Sequence, residues 1–501
     1  MCIILKETQK RGMAKMLDNL EQGKGFLCAD DMGLGKTIMT CAGLAVWLHR
    51  HPGTKMVVLA PLSMLAHWKR EFDAVDFRGV SCVVHASNKE EQQPLLHKMD
   101  VAITTYEGFI GAPLAYDNFD LMVIDEASKI KNKNTKFTKL MIALAKKVKY
   151  RVALSATPLE NNPMELYWLM QFVQPGWGGS PQSFKTMYSM YLRKGVKEQA
   201  SSSEKRCALA AARELNRKLK PYMIRRLKQA SKQQDVVVEV EMTVPQSLVY
   251  RRILRTHKRV FKRVRKIRGA DGMVHQELYH TKESQMIALK QQAELMSVLN
   301  GRHTLMANVP TGKMEYVREH LKAATEHDKI AIFFKQKVLL EKTRQILIQE
   351  GIEHVIITGA VSGDKRQEAI DSMNTGSARV MLGTSRACGY GINLTDVTSI
   401  WILEPDWNVQ IDEQTAARAD RPGNNHGAIT VQHIVTKDTI ETAIDNTASD
   451  KLVMARLVLG DQHRSRPGEA QDAVKRVSEL TKRSHGVISY NERAGKRHMK
   501  F

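Results

Sequence analysis

The sequence predicts an α/β protein with two tandem parallel sheets, each covered by helices on both faces. Short apolar runs alternate with helical patterns over residues 26–154, and the same alternation returns over residues 329–403. A mostly helical and basic region separates the two stretches. Runs of three to five apolar residues bounded by polar turns are typical of strands buried on both faces, as in parallel sheets.

The first stretch opens with a predicted amphipathic helix over Leu5–Met13. Predicted strands follow at Phe26–Ala29, Met56–Ala60, Val101–Thr104, Leu121–Ile124 and Val152–Leu154. Ligands of such sheets bind at the carboxyl ends of the strands, and polar residues follow several of these runs. We therefore expect the functional site of the first sheet along that edge.

A glycine-rich segment, DDMGLGKT (Asp30–Thr37), separates the first strand from a helical pattern. Gly33 and Gly35 permit close backbone approach, and the start of the helix offers unpaired N–H groups and a positive dipole. In this pattern Lys36 reaches the β- and γ-phosphates of a nucleotide, and Thr37 binds Mg²⁺. Asp30 stands where the strict phosphate-loop pattern has glycine, and the alternative is an ordinary glycine turn. The predicted nucleotide-binding residues are Asp30, Met32, Gly33, Leu34, Gly35, Lys36 and Thr37.

Two carboxylates, Asp125 and Glu126, follow the apolar run Leu121–Ile124. Hydrolysis of a nucleoside triphosphate needs a carboxylate on Mg²⁺ and a second group that orients or deprotonates water. We predict that Asp125 holds Mg²⁺ and that Glu126 acts on the water. The alternative is a solvated acidic turn.

The second sheet is predicted from strands at Lys329–Phe334, Val355–Ile357, Val380–Leu382 and Ile400–Leu403. Between the two sheets, Arg251–Arg268 contains no acidic residue and keeps an apolar stripe, which predicts one packed helix with a basic face. That face either contacts DNA or is merely solvated. The expected division is residues 1–228 with a helical insertion over 163–228, residues 229–447 with a basic helical protrusion over 246–310, and a basic tail over 448–501.

The composition narrows the class of partner. The formal net charge of the 501 residues is +23, which favours a polyanion such as nucleic acid. The six cysteines show neither a C-x-x-C pair nor zinc spacing, so we expect no zinc. No leader or membrane-spanning pattern is expected. These features predict a protein of the cytoplasm or the nucleus.

The motifs, taken in order, resemble those of Swi/Snf-type ATPases, superfamily-two motors that translocate on double-stranded DNA. The quoted segments are DDMGLGKT, APLSMLAHWKREF (Ala60–Phe72), ITTYE (Ile103–Glu107), DEASKIKN (Asp125–Asn132), LSATPLENNPMELYWLMQFVQP (Leu154–Pro175), GTSRACGYGINL (Gly383–Leu394), EPDWN (Glu404–Asn408) and QTAARADRPGN (Gln414–Asn424). Arg213–Lys228 resembles the helical segment that ends the first lobe of the family. The resemblance implies two tandem RecA-like lobes, and the short chain favours a compact viral, phage or microbial version.

The resemblance also implies roles for individual residues. Gln9 would read the adenine, and Ser155 and Thr157 would couple hydrolysis to movement. Arg418 and Arg421 would act as fingers, guanidinium groups brought from the second lobe to the γ-phosphate. Further residues expected to contact DNA or to couple the lobes are Pro61, Ser63, Thr104, Thr105, Lys131, Asn132, Thr384, Arg386, Asn393, Trp407 and Gln414.

The predicted function is that of a DNA-dependent ATPase, with ATP and Mg²⁺, that moves along duplex DNA and remodels protein–DNA complexes or branched DNA. One alternative is a helicase that separates strands. Another, of a different class, is a nucleic-acid-binding scaffold that ATP switches between conformations.

Overall fold

The computed structural model of the chain describes residues 4–75, 82–85, 100–111, 118–197, 200–227, 234–257, 264–268, 274–278, 292–306, 309–325, 327–361, 363–388, 392, 394–404, 415 and 429–460. These residues divide into two compact units, one of residues up to Ala230 together with residues from Ser449, the other Ser231–Ala448.

The first unit contains a sheet whose described strand pairs are all parallel. Its strands are β1 (Phe26–Cys28), β2 (Met56–Leu59), β3 (Cys82–His85), β4 (Val101–Thr104), β5 (Leu121–Ile124), β6 (Tyr150–Leu154) and β7 (Met223–Ile224). They lie in the order β3-β4-β2-β5-β6-β1-β7. Strands β5, β6 and β1 are therefore neighbours, so the loops that follow them meet at one edge.

Helices cover both faces of this sheet. They are α1 (Glu7–Glu21), α2 (Lys36–Arg50), α3 (Leu65–Ala74), α4 (Tyr106–Gly111), α5 (Lys136–Ala145), α6 (Pro163–Val173), α7 (Pro181–Phe184), α8 (Met190–Gly195) and α9 (Ser202–Leu219). Alternate strand residues enter two different cores: Leu27 and Val57 pack on one face, whereas Phe26 and Val58 pack on the other. Both faces are apolar because both are covered, as the sequence pattern predicts.

The second unit repeats the arrangement. Its sheet contains β8 (Gln234–Val240), β11 (Ile330–Phe334), β12 (His354–Ile357), β13 (Val380–Thr384), β14 (Ser399–Ile402) and β15 (Thr430–Thr436), in the order β12-β13-β11-β14-β15-β8. All of its described strand pairs are parallel. Its helices are α10 (Val244–His257), α11 (292–299), α12 (Gly312–Ala323), α13 (Lys337–Gln349), α14 (Gly363–Asn374) and α15 (Ser385–Cys388). The predicted fold class of two tandem parallel sheets is confirmed.

One prediction about the basic region is wrong. Arg251–Arg268 is not one helix, because α10 ends at His257 and residues 264–268 form strand β9. This strand pairs antiparallel with β10 (Val274–Leu278), and Val264 lies opposite Leu278. The intervening sequence, GADGM, contains the Asp-Gly pair that is typical of hairpin turns. The Asp-Gly pair was therefore a better guide to this region than the helical spacing of the apolar residues in Arg251–Arg268.

The end of the predicted helical insertion also differs. Helix α9 ends at Leu219, and Pro221 follows it. Proline disfavours continuation of a helix because it lacks an N–H and its ring clashes with the preceding turn. Residues Met223–Ile224 instead form β7, which pairs with β1 and lies beside the glycine loop.

The chain beyond residue 448 does not begin as a tail. Helix α16 (Ile440–Leu459) continues through that point, and Met454, Ala455, Val458 and Leu459 join the core of the first unit. The Asn216 amide of α9 donates to the carbonyl of Val458 at 3.1 Å. The rest of the predicted basic tail, residues 461–501, lies outside the described residues. No helix within the described ranges is long and apolar enough to cross a membrane.

Candidate nucleotide-binding site

The glycine loop joins β1 to α2. Gly33 and Gly35 have φ angles of +76° and +77°, in the left-handed region that residues with a Cβ rarely adopt. Gly35 is the N-cap of α2, and no side chain caps the helix start. The first turn therefore directs its backbone N–H groups out of the helix end, where the helix dipole favours an anion.

Lys36 is the first residue of α2. Its ammonium donates to the carbonyl oxygens of Asp30 at 2.9 Å and Asp31 at 3.1 Å. These contacts hold the positive charge over the loop, next to half-buried Thr37. Lys36 and Thr37, which the sequence predicts for phosphate and metal binding, thus both lie in the first turn of α2.

Gln9, on α1, packs against the same loop. Its amide nitrogen donates to the carbonyl of Leu34 at 3.3 Å, and its oxygen accepts from the N–H of Lys6 at 2.8 Å. A Cβ built on Gly35 would lie 2.2 Å from this amide nitrogen, so only glycine fits there without a shift of Gln9. Gln9 is a buried part of the site and not a surface glutamine.

Asp125, which follows β5, is buried. Its carboxylate accepts from Trp68 Nε1 at 2.8 Å and from the N–H of Glu126 at 2.9 Å. Burial raises the pKa of Asp125, while these two hydrogen bonds and the positive charge of Lys36 oppose the rise. The Tyr106 hydroxyl donates to the Asp125 carbonyl at 2.5 Å, so backbone and side chain are both fixed.

Glu126 has an unusual backbone conformation. Its φ and ψ angles are 44° and 50°, the left-handed region, which is uncommon for a residue other than glycine. The side chain is half-buried at the strand end. Strained residues of this kind cluster at functional sites, which makes Glu126 a candidate functional residue.

The loop after β6 lies between the two preceding sites, because β6 separates β5 from β1. The hydroxyl oxygen of Ser155 accepts from the N–H of Thr157 at 3.1 Å. The Thr157 hydroxyl oxygen is buried and has no hydrogen-bond partner among the described residues. Buried hydroxyls are normally satisfied, which makes this group a candidate for a hydrogen bond to a ligand or to water.

The side chains predicted to contact DNA from the first unit have different environments. Thr104 and Thr105 are buried, and the Thr105 hydroxyl oxygen accepts from the N–H of Gly108 at 3.0 Å. Ser63 is exposed and Pro61 half-exposed, beside the short turn of 3₁₀ helix at Leu62–Met64.

Two further candidates follow β5. Lys131 forms an ion pair of 2.7 Å with the nearly buried Glu160, on the segment after β6. The side-chain oxygen of Asn132 accepts from the N–H of Asn134 at 2.9 Å. Lys131 therefore links the segments that follow β5 and β6.

The candidates of the second unit are less fully described. Thr384 ends β13 and is half-buried, and Arg386 lies in α15. Asn393, Trp407, Gln414, Arg418 and Arg421 lie outside the described residues. The proposed finger roles of the two arginines therefore stay predictions.

Sequence reasoning missed the partners that hold Asp125. Leu65, Trp68 and Phe72 on α3 have helical spacing, which predicts core packing and says nothing of the indole N–H. The contact between Trp68 and Asp125 joins residues 57 positions apart in the sequence. No pattern of local spacing signals such a tertiary hydrogen bond.

Comparison with known families adds an independent finding. The SNF2-related domain matches residues 8–305, which is more than half of the chain. The chain belongs to the SNF2-related family. The helicase conserved C-terminal domain matches residues 312–423. The boundary between these two family matches falls inside the second unit, whereas the division into compact units follows Ala230.

Three relatives of this SNF2-related chain are 25% to 29% identical to it. Protein CHROMATIN REMODELING 24 of Arabidopsis thaliana is 25% identical, and the match covers 87% of this chain and 44% of that protein. Transcription regulatory protein SNF2 of Saccharomyces cerevisiae is 27% identical, with 89% and 27% covered. Chromodomain-helicase-DNA-binding protein 6 of Homo sapiens is 29% identical, with 92% and 18% covered. The chain spans less than half the length of these relatives.

Among solved structures, a Sulfolobus solfataricus SWI2/SNF2 ATPase core in complex with dsDNA is 23% identical, with a TM-score of 0.42. That match covers 91% of this chain and 97% of the other. A SWI2/SNF2 ATPase core domain from the same organism is 24% identical with a TM-score of 0.40, and 92% and 90% of the two chains are covered.

Proposed function

We propose that this SNF2-related protein is a DNA-dependent ATPase that moves along double-stranded DNA and remodels protein–DNA complexes or branched DNA. The observation that carries the proposal is the edge formed by β5, β6 and β1. There the glycine loop, the pair Asp125 and Glu126, and Ser155–Thr157 follow three neighbouring strands. Membership of the family adds the expectation of a nucleic-acid-driven motor.

In this proposal the glycine loop binds the phosphates of ATP. The N–H groups at the start of α2 and the Lys36 ammonium supply donors and positive charge, while Gln9 contacts the adenine. Met32, Leu34 and the two glycines shape the loop. Asp30 acts on the loop indirectly, because its carboxylate bonds to protein groups.

The residues also fit Mg²⁺. Asp125 presents a carboxylate whose pKa is raised by burial, and Thr37, the neighbour of Lys36 in the sequence, offers a hydroxyl. Carboxylate and hydroxyl oxygens are ligands that Mg²⁺ accepts together with substrate phosphates. Asp125 and Thr37 would hold the ion there, and it would supply positive charge that neutralises the phosphates. Trp68 and the Glu126 N–H keep the Asp125 carboxylate oriented.

Glu126 is proposed to orient or deprotonate the attacking water. The backbone of Glu126 is left-handed. The side chain of the preceding residue, Asp125, accepts a hydrogen bond from Trp68. Catalysis of phosphoryl transfer depends mainly on positioning and on charge stabilisation. Arg418 and Arg421 are proposed to complete the charge stabilisation from the second unit, and Ser155 and Thr157 to sense the state of the nucleotide.

DNA binding is proposed on the basis of charge and exposure. The net charge of +23 favours a polyanionic partner. Exposed Ser63 and neighbouring Pro61 are the first-unit candidates for the DNA backbone, and Thr384, Arg386, Asn393, Trp407 and Gln414 are those of the second unit. Lys131 and Asn132 are proposed to act in coupling. The protein would work where duplex DNA is present, in bacterial cytoplasm, an infected cell or a nucleus.

The decisive experiment measures ATP hydrolysis with duplex DNA, single-stranded DNA and RNA in parallel. The proposal predicts multiple turnovers and the largest stimulation by duplex DNA. It also predicts displacement of a triplex-forming strand without unwinding of a forked duplex. Efficient unwinding of forks would instead establish the strand-separating helicase, and ATP binding without turnover would establish the switched scaffold.

A further inference from the structure

The chain just after α9 extends the sheet beside the glycine loop. The N–H groups of Leu27 and Ala29 donate to the carbonyls of Tyr222 and Ile224, both at 2.8 Å. The N–H of Asp31 then donates to the carbonyl of Arg226 at 2.9 Å. This backbone pairing continues past the end of β1 into the loop itself, so residues 222–226 run alongside the start of the loop.

Arg226 binds the first residue of the loop through several donors. Its backbone N–H donates to Asp30 Oδ1 at 2.9 Å, and its Nε donates to Oδ2 at 2.9 Å. Its Nη2 also donates to the same carboxylate, and Nη1 donates to the carbonyl of Thr8, next to Gln9. Asp30 is fully buried. Such a planar, multidentate contact fixes geometry as well as charge.

Arg225, the preceding residue, binds two different loops. Its Nη1 donates to the carbonyl of Ala29 at 2.6 Å and to the carbonyl of Ala156 at 2.9 Å. Its Nη2 lies 3.4 Å from Asp31 Oδ1. Ala29 immediately precedes the glycine loop, and Ala156 is the central residue of the segment Ser155–Thr157. One guanidinium therefore ties the nucleotide loop to the loop proposed for coupling.

We propose that Arg225 and Arg226 are positioning residues of the ATPase site. Arg226 sets the glycine loop and Gln9 in the nucleotide-binding geometry, through Asp30 and Thr8. Arg225 keeps the Ser155–Thr157 loop in register with the glycine loop, so that the coupling loop follows the state of the nucleotide. Both roles rest on the proposed ATPase function, and both act through protein groups without touching the reacting atoms.

The test replaces each arginine with lysine, which keeps the charge and hence the attraction to DNA but removes the planar fork. Arg226→Lys is expected to raise the dissociation constant of a fluorescent ADP analogue by about fivefold or more, with kcat at saturating ATP within about twofold. Arg225→Lys is expected to leave that dissociation constant within about twofold and to lower DNA-stimulated kcat by about tenfold.

Arg217→Lys is the matched control. Arg217 lies on α9, is largely exposed, and pairs with Glu214 one turn away on the same helix. If Arg226→Lys does not fold, Asp30→Asn replaces it, because this nearly isosteric change breaks the same ion pair from the other side. It is expected to weaken binding of the analogue by a similar factor.

Three outcomes overturn the inference. In the first, both variants match Arg217→Lys in binding and turnover, and in the second, both lose thermal stability only. In the third outcome, the dissociation constant of the ADP analogue and the DNA-stimulated kcat change together in both variants. Each is separate from failure of the proposed function, which shows as absent DNA-stimulated hydrolysis in the wild-type protein. Binding of the ADP analogue can be measured in either case.

Discussion

The two sheets use the same architecture but differ where a strand leads into a helix. In the first unit β1 leads through the glycine loop to α2, whose N-cap is Gly35. In the second unit β11 leads through Lys335 and Gln336 to α13. There the N–H groups of both residues donate to the carboxylate of Glu404, each at 2.9 Å.

Glu404 is held firmly at this position. It is 1% exposed, and its second oxygen accepts from the Asn300 amide at 2.6 Å. Burial raises the pKa of Glu404, while the two backbone N–H groups and the charge of Lys313 oppose the rise. The carboxyl of Glu404 therefore occupies the N–H groups of Lys335 and Gln336, the two residues that precede α13. The two strand-to-helix connections therefore differ in chemistry, because the first contains a glycine loop with a lysine and the second a buried carboxyl. This difference supports the proposal that the first unit binds the nucleotide.

The largest expected effect comes from removing the cation at the start of α2. Lys36→Ala should lower DNA-stimulated ATPase activity by on the order of 100-fold or more, because the β- and γ-phosphates lose their fixed positive charge. Lys337→Ala is the matched control, since Lys337 is the first residue of α13 and is exposed. Steady-state ATPase assays of the two purified variants make the comparison. Equal activities would show that the two helix starts are not chemically different.

The next effect concerns Glu404, which accepts hydrogen bonds from the two residues before α13. Glu404→Ala should lower the free energy of unfolding by about 2–4 kcal/mol, because the buried Asn300 amide and two partly buried backbone N–H groups lose this acceptor. Glu341→Ala, which removes an exposed carboxylate paired with Arg344 on α13, should cost less than about 1 kcal/mol. Urea unfolding followed by circular dichroism measures both. A loss for Glu404→Ala no larger than that for Glu341→Ala would mean that Glu404 does not stabilise the helix start.

The smallest effect concerns backbone strain in each unit. Glu126 and Asp438 are the described residues other than glycine with positive φ, at 44° and 55°. Replacing either with glycine should raise the free energy of unfolding by about 1 kcal/mol, because the left-handed region costs an L-residue about that much. Glu126→Gly should also abolish hydrolysis, whereas Asp438→Gly should not. A destabilised Glu126→Gly variant would contradict the assignment of strain to this strand end.

The sequence predicted the architecture well because buried parallel strands are continuous apolar runs. Met56–Leu59 and Val101–Thr104 need no knowledge of their partners to be recognised. Shorter or more polar strands were not predicted. Strand β7 has only two residues and follows a helix-like segment, and β15 contains Gln432 and His433. Pairing with a neighbouring strand, not local sequence, makes these segments strands.

The site divides in a similar way. Lys36, Asp125 and Glu126 are recognisable because glycine spacing and paired carboxylates carry chemistry in the local sequence. Trp68, Arg225 and Arg226 were not predicted as parts of the site, because their partners are 57 to 196 positions away. The hydroxyl oxygen of Thr105 accepts from the N–H of Gly108, and its predicted contact with DNA stays a prediction. Motif spacing in the sequence identifies a chemical group, whereas tertiary contacts determine whether that group is already hydrogen-bonded within the protein.

Calorimetric titration of the full chain with a slowly hydrolysed ATP analogue and Mg²⁺ counts the nucleotide sites and shows whether only one of the two sheets binds nucleotide. We expect about one site per chain, lost in Lys36→Ala and retained in Lys337→Ala. Two sites per chain, or binding that survives Lys36→Ala unchanged, would contradict it.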